Sequence, residues 1–362
     1  MAAFTAGAAR PAAQPRYRVM VVDDSAVIRG FITRALERDP EIGVVASANN
    51  GEVAVRRVAR GDIDVVILDI EMPVMDGMTA LPRILKARPG IKVIMASTLT
   101  RKNAAVSLEA LAAGAADYVP KPSSMGELHA SEDFSRDLIA KIKALAAPKR
   151  PAAARTAPPP TAVRRPSTVR PAVLAVGSST GGPQALFKVF GALGTRITGP
   201  IFLTQHMPPT FTSILAEHLA RISGAACAEV ADGEAVTGGR VYVAPGNFHM
   251  LVKRGADGPV VRLATDPPEN FCRPAVDPML RSLVAVYGAK VLAVILTGMG
   301  HDGLAGGRAV VEAGGTLIAQ DEPSSVVWGM PGAVAGAGLA SAILPIDQIA
   351  AHILTLLDGR SR

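Results

Sequence analysis

The sequence predicts an α/β protein with two parallel-sheet domains: an N-terminal doubly wound (βα)5 domain and a C-terminal α/β domain with a small antiparallel insert. Three observations predict it. Short apolar runs alternate with helix-like patterns in two separate stretches, the mark of parallel sheets covered by helices. Asp, Ser and His residues stand directly after several of those runs, at what a parallel sheet makes a single rim. Between the stretches lies 148–171, with seven prolines, six Lys or Arg and no acidic residue.

At 362 residues the chain is too long for one core, and 49% apolar content is enough to build two. Aromatic residues are only 4%, so Val, Ile, Leu, Ala and Met must fill them. In the first stretch the strand-like runs are 18–22, 44–47, 65–68, 92–96 and 117–119. Helical patterns follow at 26–37, 52–60, 77–87, 103–113 and 134–145. Runs 65–68 and 93–96 are apolar throughout, as strands covered on both faces should be. In the second stretch 172–176, 200–204, 291–296 and 316–319 read as buried strands, with a helix at 183–190. Segments 239–244 and 249–254 read as a hairpin, with 260–264 after it.

The expected layout is a disordered tail over 1–16, a domain over 17–147, a stiff linker over 148–171 and a domain over 172–362. The net charge of +7 is concentrated: the linker holds six positive charges, which leaves +1 elsewhere. A nearly neutral folded part is no footprint for nucleic acid. No segment is apolar and long enough to span a bilayer, and the tail lacks the apolar stretch of a signal peptide. Two cysteines, Cys227 and Cys272, make no disulfide framework, which fits a reduced cytoplasmic protein.

Asp23 and Asp24 follow the first run, Asp69 the third, Ser97 the fourth and Lys121 the fifth. A parallel sheet gathers these onto one rim. Carboxylates in close quarters repel, and a hard divalent cation with oxygen ligands resolves that; Mg²⁺ suits a site that also takes phosphate. Glu71 is counted with Asp23, Asp24 and Asp69 as a metal candidate.

Residues 18–147 resemble a response-regulator receiver domain, through Val21-Val22-Asp23-Asp24-Ser25, Leu68-Asp69-Ile70-Glu71-Met72-Pro73, Asp76-Gly77, Ala96-Ser97 and Lys121-Pro122. The resemblance implies that Asp69 is phosphorylated by a histidine kinase of the CheA type. It implies that Asp24 binds Mg²⁺ directly, that Ser97 swings toward the phosphoryl group and that Lys121 pairs with it.

In the second stretch Gly177-Ser178-Ser179-Thr180-Gly181 fits G-x-S-x-G between a strand and a helix, the setting of a nucleophile on a sharp turn. Ser179 takes the nucleophile place, with Ser178 as its neighbour and alternative. Backbone N–H groups at the helix start can hold an oxyanion, and no Lys follows, so the turn is not a P-loop. A serine needs a base. His206 after run 200–204 and Asp302 after run 291–296 share the rim with Ser179. His249 is the second candidate base or an accessory group, Thr180 is a further accessory residue, and His301 should be exposed. The order Ser, His, Asp differs from the Ser, Asp, His order of α/β-hydrolases.

Residues 172–357 resemble the catalytic domain of the chemotaxis protein-glutamate methylesterases. The matching segments are Val176–Pro183, Gln205-His206-Met207-Pro208, Ala244–Met250, Arg273-Pro274-Ala275-Val276-Asp277, Leu296–Gly303 and 320–331. The resemblance implies Ser179 as nucleophile, His206 as base, Asp302 as its partner and the Met299 N–H in the oxyanion hole. It implies chemoreceptor cytoplasmic helices as substrate, cleavage of glutamate methyl esters, deamidation of particular glutamines and no cofactor in the catalytic part. A transcription regulator is the competing class, but no helix-turn-helix with a basic face follows the linker.

Overall fold

The computed structural model describes residues 15–98, 100–121, 132–147 and 163–358. Nearly all of the expected tail and most of the linker lie outside them, as does Pro122.

The first sheet has five parallel strands in the order β2-β1-β3-β4-β5. They are β1 (Tyr17–Val22), β2 (Ile42–Ala48), β3 (Val65–Asp69), β4 (Lys92–Ser97) and β5 (Asp117–Pro120). The helices α1 (Ala26–Leu36), α2 (Gly51–Val58), α3 (Gly77–Ala87), α4 (Arg101–Ala112) and α5 (Glu132–Ala146) cover its faces. Four of these start on a side-chain cap: Ser25, Asn50, Asp76 and Thr100 each accept a backbone N–H from three residues ahead. Such caps satisfy donors the helix cannot, at about 1 kcal/mol each. Every residue of β3 is buried, as its apolar run requires. Gly77 is needed because a Cβ there would stand 2.1 Å from the Asp69 carbonyl oxygen. Its N–H instead bonds the Ile70 carbonyl at 2.8 Å and closes the loop after β3.

The second sheet has seven parallel strands in the order β14-β13-β12-β6-β7-β9-β8. They are β6 (Val173–Ser178), β7 (Ile201–Gln205), β8 (Ala226–Glu229), β9 (Arg240–Val243), β12 (Val291–Ile295), β13 (Thr316–Gln320) and β14 (Ala342–Leu344). One face carries α6 (Gly182–Leu193), α7 (Pro209–Ser223) and α11 (Ile346–Leu357). The other carries α8 (Val276–Tyr287), α9 (Leu304–Glu312), α10 (Met330–Gly336) and the hairpin β10 (His249–Arg254) with β11 (Pro259–Ala264). From β6 the chain runs outward through β7 and later returns to the other side at β12. The order in which strands are added therefore reverses between β6 and β12, where open α/β sheets build their sites.

One expectation changes here. Segment 239–244 is not half of a hairpin: β9 lies parallel between β7 and β8 in the main sheet. Val241, Tyr242 and Val243 are all buried, which a strand covered on both faces explains. The antiparallel partner of β10 is β11, in register from His249 with Ala264 to Arg254 with Pro259.

Candidate active site

Ser178 ends β6 and Ser179 opens the turn into α6, which Gly181 completes in the left-handed region at φ 74°. The two serines differ sharply. Ser178 is fully buried and its hydroxyl donates to Gln205 Oε1 at 2.7 Å. Ser179 is partly exposed, and among the described residues its hydroxyl has no hydrogen-bond partner. Strand register pairs Ser178 with Gln205, and the His206 N–H donates to the Ser178 carbonyl at 3.2 Å. Ser179 and His206 are thus neighbours at the ends of adjacent strands. The Gln205 amide also donates to the Ser179 carbonyl at 2.9 Å and the His206 carbonyl at 3.2 Å, pinning both loops.

His206 Nε2 lies 2.8 Å from Asp302 Oδ2, across 96 residues of sequence. Asp302 is buried and accepts four further bonds. They come from the N–H groups of Val276 (2.6 Å), Asp277 (3.0 Å) and Gly303 (2.9 Å) and from Asn270 Nδ2 (3.0 Å). Two of those donors open α8, so the carboxylate also meets the positive end of a helix. Burial pushes its pKa up, but the bonds from His206, Val276 and Asp277 outweigh it and hold it below the usual range. Burial lowers the His206 pKa, and the bond to Asp302 more than reverses that, so the imidazole sits above its ordinary range. Asp277 next door is pushed to about 6, chiefly by burial and partly by the charge of Asp302.

The loop after β12 is stitched to the serine turn. The Ser179 N–H donates to the Thr297 carbonyl at 3.0 Å, and the Thr297 hydroxyl donates to the Thr180 carbonyl at 2.9 Å. A Cβ on Gly298 would stand 2.9 Å from the Ser179 Cβ, so glycine lets this loop close on the hydroxyl. Among the described residues neither the Thr180 nor the Met299 N–H donates an intramolecular bond. Thr180 follows Ser179 in the chain, and Met299 follows Gly298, which closes on it.

His249 stands differently from expectation. It is buried, its Nε2 meets the Pro267 carbonyl at 3.2 Å and its Nδ1 accepts the Ala275 N–H at 3.2 Å. With both nitrogens on backbone, it braces the loop between β11 and α8 and has none left for proton transfer. His301 is exposed.

On the first sheet, carboxylate oxygens of Asp23, Asp24 and Asp69 all lie within 4.8 Å of one another. Lys121 Nζ bridges Asp23 at 2.8 Å and Asp69 at 2.6 Å. Burial raises the Asp69 pKa to about 6, with Lys121 opposing. Burial works against the charged Lys121 as well, but its two carboxylate partners hold its pKa up. Three clustered carboxylates with one exposed member, Asp24, fit a hard divalent cation. Glu71 does not stand in that cluster: its carboxylate is exposed and meets Lys102 at 3.2 Å. The Ser97 hydroxyl is bonded to the Ser107 hydroxyl of α4 at 2.9 Å, turned to the helix in this state.

A family model described as CheB methylesterase matches residues 174–353, and one described as response regulator receiver domain matches 19–132. A protein-glutamate methylesterase/protein-glutamine glutaminase of Rhodospirillum centenum is 58% identical, over 95% of each chain. The chain belongs to the CheB methylesterase family. A similarly named protein of Azospirillum brasilense is 56% identical over 93% of this chain and 91% of its own. The solved catalytic domain of the Thermotoga maritima CheB methylesterase is 41% identical, covers 52% of this chain and all of its own, and superposes with a TM-score of 0.50.

The family's two parts are in contact here. Helix α4 packs on α6 and α7. Gln184 of α6 donates to the carbonyls of Leu111 (2.9 Å) and Ala115, and Arg101 pairs with Glu217. Tyr118 stacks on Phe211 with ring centroids 4.2 Å apart. Arg136 of α5 lies 5.5 Å above the ring of Phe271, whose turn borders His206.

Four residues of this site carried no role in the sequence: Gln205, Asn270, Cys272 and Asp277. Gln205 adjoins His206, and Asn270, Cys272 and Asp277 flank the Arg273-Pro274 motif. Position was the only signal, because their function is to contact other side chains.

Proposed function

We propose that this chain is a phosphorylation-regulated serine hydrolase. It demethylates glutamate 5-O-methyl esters on the cytoplasmic helices of chemoreceptors, deamidates particular receptor glutamines and so gives sensory adaptation in a two-component pathway. Its working units are 17–147 and 172–362, joined by 148–171, in the cytoplasm. The observation that carries the proposal is the His206–Asp302 pair one strand away from the accessible Ser179 hydroxyl.

Asp302 occupies Nε2, so Nδ1 takes the Ser179 proton as the hydroxyl attacks the ester carbonyl. The N–H groups of Thr180 and Met299 receive the oxyanion, at about 3 kcal/mol for each such donor. The proton passes from His206 to the departing methoxide, methanol leaves, and water then cleaves the acyl-enzyme by the same route. With glutamine the leaving group is ammonia. Asp302 keeps the imidazole oriented and balances its charge while it holds the proton.

Asp69 takes the phosphoryl group from a histidine kinase of the CheA type. Asp23, Asp24 and Asp69 would hold Mg²⁺, which when bound supplies counter-charge for phosphoryl transfer. Ser97 leaves Ser107 for the phosphoryl group and Lys121 pairs with it. Because Ser107 belongs to α4, and α4 packs on α6 and α7, that exchange loosens the contact covering the catalytic part. Tenfold activation needs about 1.4 kcal/mol of differential stability between closed and open forms.

The test is methanol release from methylated receptor membranes, with and without a small phosphodonor and Mg²⁺. Release should rise with the phosphodonor, and Asp69→Ala should abolish the rise. Ser179→Ala should cut release by at least about 10⁴-fold; full activity in that variant would falsify the nucleophile assignment.

A further inference from the structure

Cys272 Sγ lies 3.2 Å from His206 Nδ1, while Nε2 lies on Asp302. Both ring nitrogens are therefore engaged. A neutral imidazole has one N–H and one lone pair. With Asp302 accepting from Nε2, the lone pair is on Nδ1. That is the atom that must take the Ser179 proton, and it is the atom the thiol covers.

The mount of this thiol is rigid. Glu269 and Cys272 exchange backbone bonds, N–H of each to carbonyl of the other, at 3.1 and 3.0 Å. Between them Asn270 and Phe271 both have positive φ, 54° and 62°, the pattern of a type I′ turn. A bulky aromatic in that region is strained, and such strain persists only where the surroundings over-determine it. Asn270 supplies the constraint: its amide donates to Asp277 and Asp302 at 3.0 Å each. The turn carrying Cys272 is thus fastened to the same carboxylate that orients His206.

We propose that Cys272 is a positioning residue that caps His206 Nδ1 in the resting enzyme, so that catalysis requires Nδ1 to exchange the thiol for the Ser179 hydroxyl. The proposal rests on Ser179 as nucleophile and His206 as base. Sulfur forms no bond to substrate; a hydrogen bond changes partner and no electrons are lost. The groups facing the ring are Asp302 and Cys272 directly, with Asp277 beside Asp302 and Glu269 tied to Arg281 behind the turn. Asp302 holds the imidazole protonated to higher pH, against burial.

The experiment uses the full-length chain with Cys272→Ala and Cys272→Ser. It reads the labelling rate of Ser179 by a fluorophosphonate and the pH profile of methanol release. Cys272→Ala should label about fivefold faster at neutral pH, the equivalent of about 1 kcal/mol for one hydrogen bond. The acid limb of its kcat/KM profile should move to higher pH, because the S–H bond to the lone pair, a contact that favours the neutral imidazole, is gone. Cys272→Ser keeps a donor and should label close to the parent rate. An unchanged labelling rate and an unmoved acid limb in Cys272→Ala would overturn the cap. Slower labelling with an unmoved limb would reduce Cys272 to packing and equally overturn it. Activity surviving in Ser179→Ala would instead strike the nucleophile assignment, which keeps the two failures apart.

Discussion

Two rims in one chain, built by the same strand-end topology, manage buried negative charge in opposite ways. On the first sheet Asp23 and Asp69 share one lysine and accept one backbone N–H each, from Ser25 and Ile70, and Asp24 stays exposed beside them. That leaves carboxylate capacity for the exchangeable cation and phosphoryl group proposed above. On the second sheet Asp302 is surrounded by three backbone N–H groups, an amide and an imidazole, all fixed. Fixed dipoles hold one charge permanently with little reorganisation, which is what a hydrolytic site needs. A balance that can be tipped by a ligand is what a switch needs. The difference lies in whether the counter-charge is exchangeable, not in the fold.

The largest test of the fixed side is Asp302→Ala. It leaves four donors unpartnered and His206 without its orienting carboxylate. Methanol release should fall by about 10⁴-fold, and urea unfolding should show a loss of about 3 kcal/mol, since half of a buried charged pair remains. A variant retaining most activity would show that the backbone N–H groups do not depend on this carboxylate to shape the site.

On the exchangeable side, Lys121→Met leaves Asp23 and Asp69 buried without their counter-charge. Stability without Mg²⁺ should drop by about 2 kcal/mol, and Mg²⁺ should restore part of it by binding the folded state. If Mg²⁺ has no effect on the unfolding curve, the cluster is not an exchangeable site.

The pH response sharpens the contrast further. His206 acts as a base only when neutral, and its pKa is raised. Esterase activity should therefore decline as pH falls, with the acid limb above the ordinary imidazole value of about 6.5. An acid limb at or below that value would mean Asp302 does not govern the ring in the working enzyme.

The smallest effects concern the contact between the two parts. Gln184→Ala removes two bonds to receiver carbonyls and should raise unphosphorylated activity by about fivefold. The exposed Arg101–Glu217 pair should matter less, and its removal should change that activity by about twofold or not at all. An Arg101→Ala effect larger than that of Gln184→Ala would reverse the ranking of half-buried over exposed contacts.

Much of this was legible in the residue order. Strand-end placement of Asp23, Asp69, Ser179 and His206 follows from apolar runs that end within three residues of them, and Asp302 stands in the loop after run 291–296. The parallel role of 240–243 was not legible, because a short apolar strand carries no mark of its partner's direction. Nor was the position of Glu71, which the loop after β3 turns outward to Lys102.

By itself the sequence determined the alternation of strands and helices, the two clusters and the family to which they belong, because those depend on local periodicity and short motifs. Tertiary structure alone decided that the Ser178 hydroxyl is buried on Gln205 while that of Ser179 has no partner among the described residues. It also decided that His249 braces a loop and that Cys272 stands on the imidazole nitrogen left over by Asp302. Each of these is a contact between residues brought together by strand order and loop path. A side chain's role depends on which partner reaches its polar atoms first, and that is a property of the packed fold.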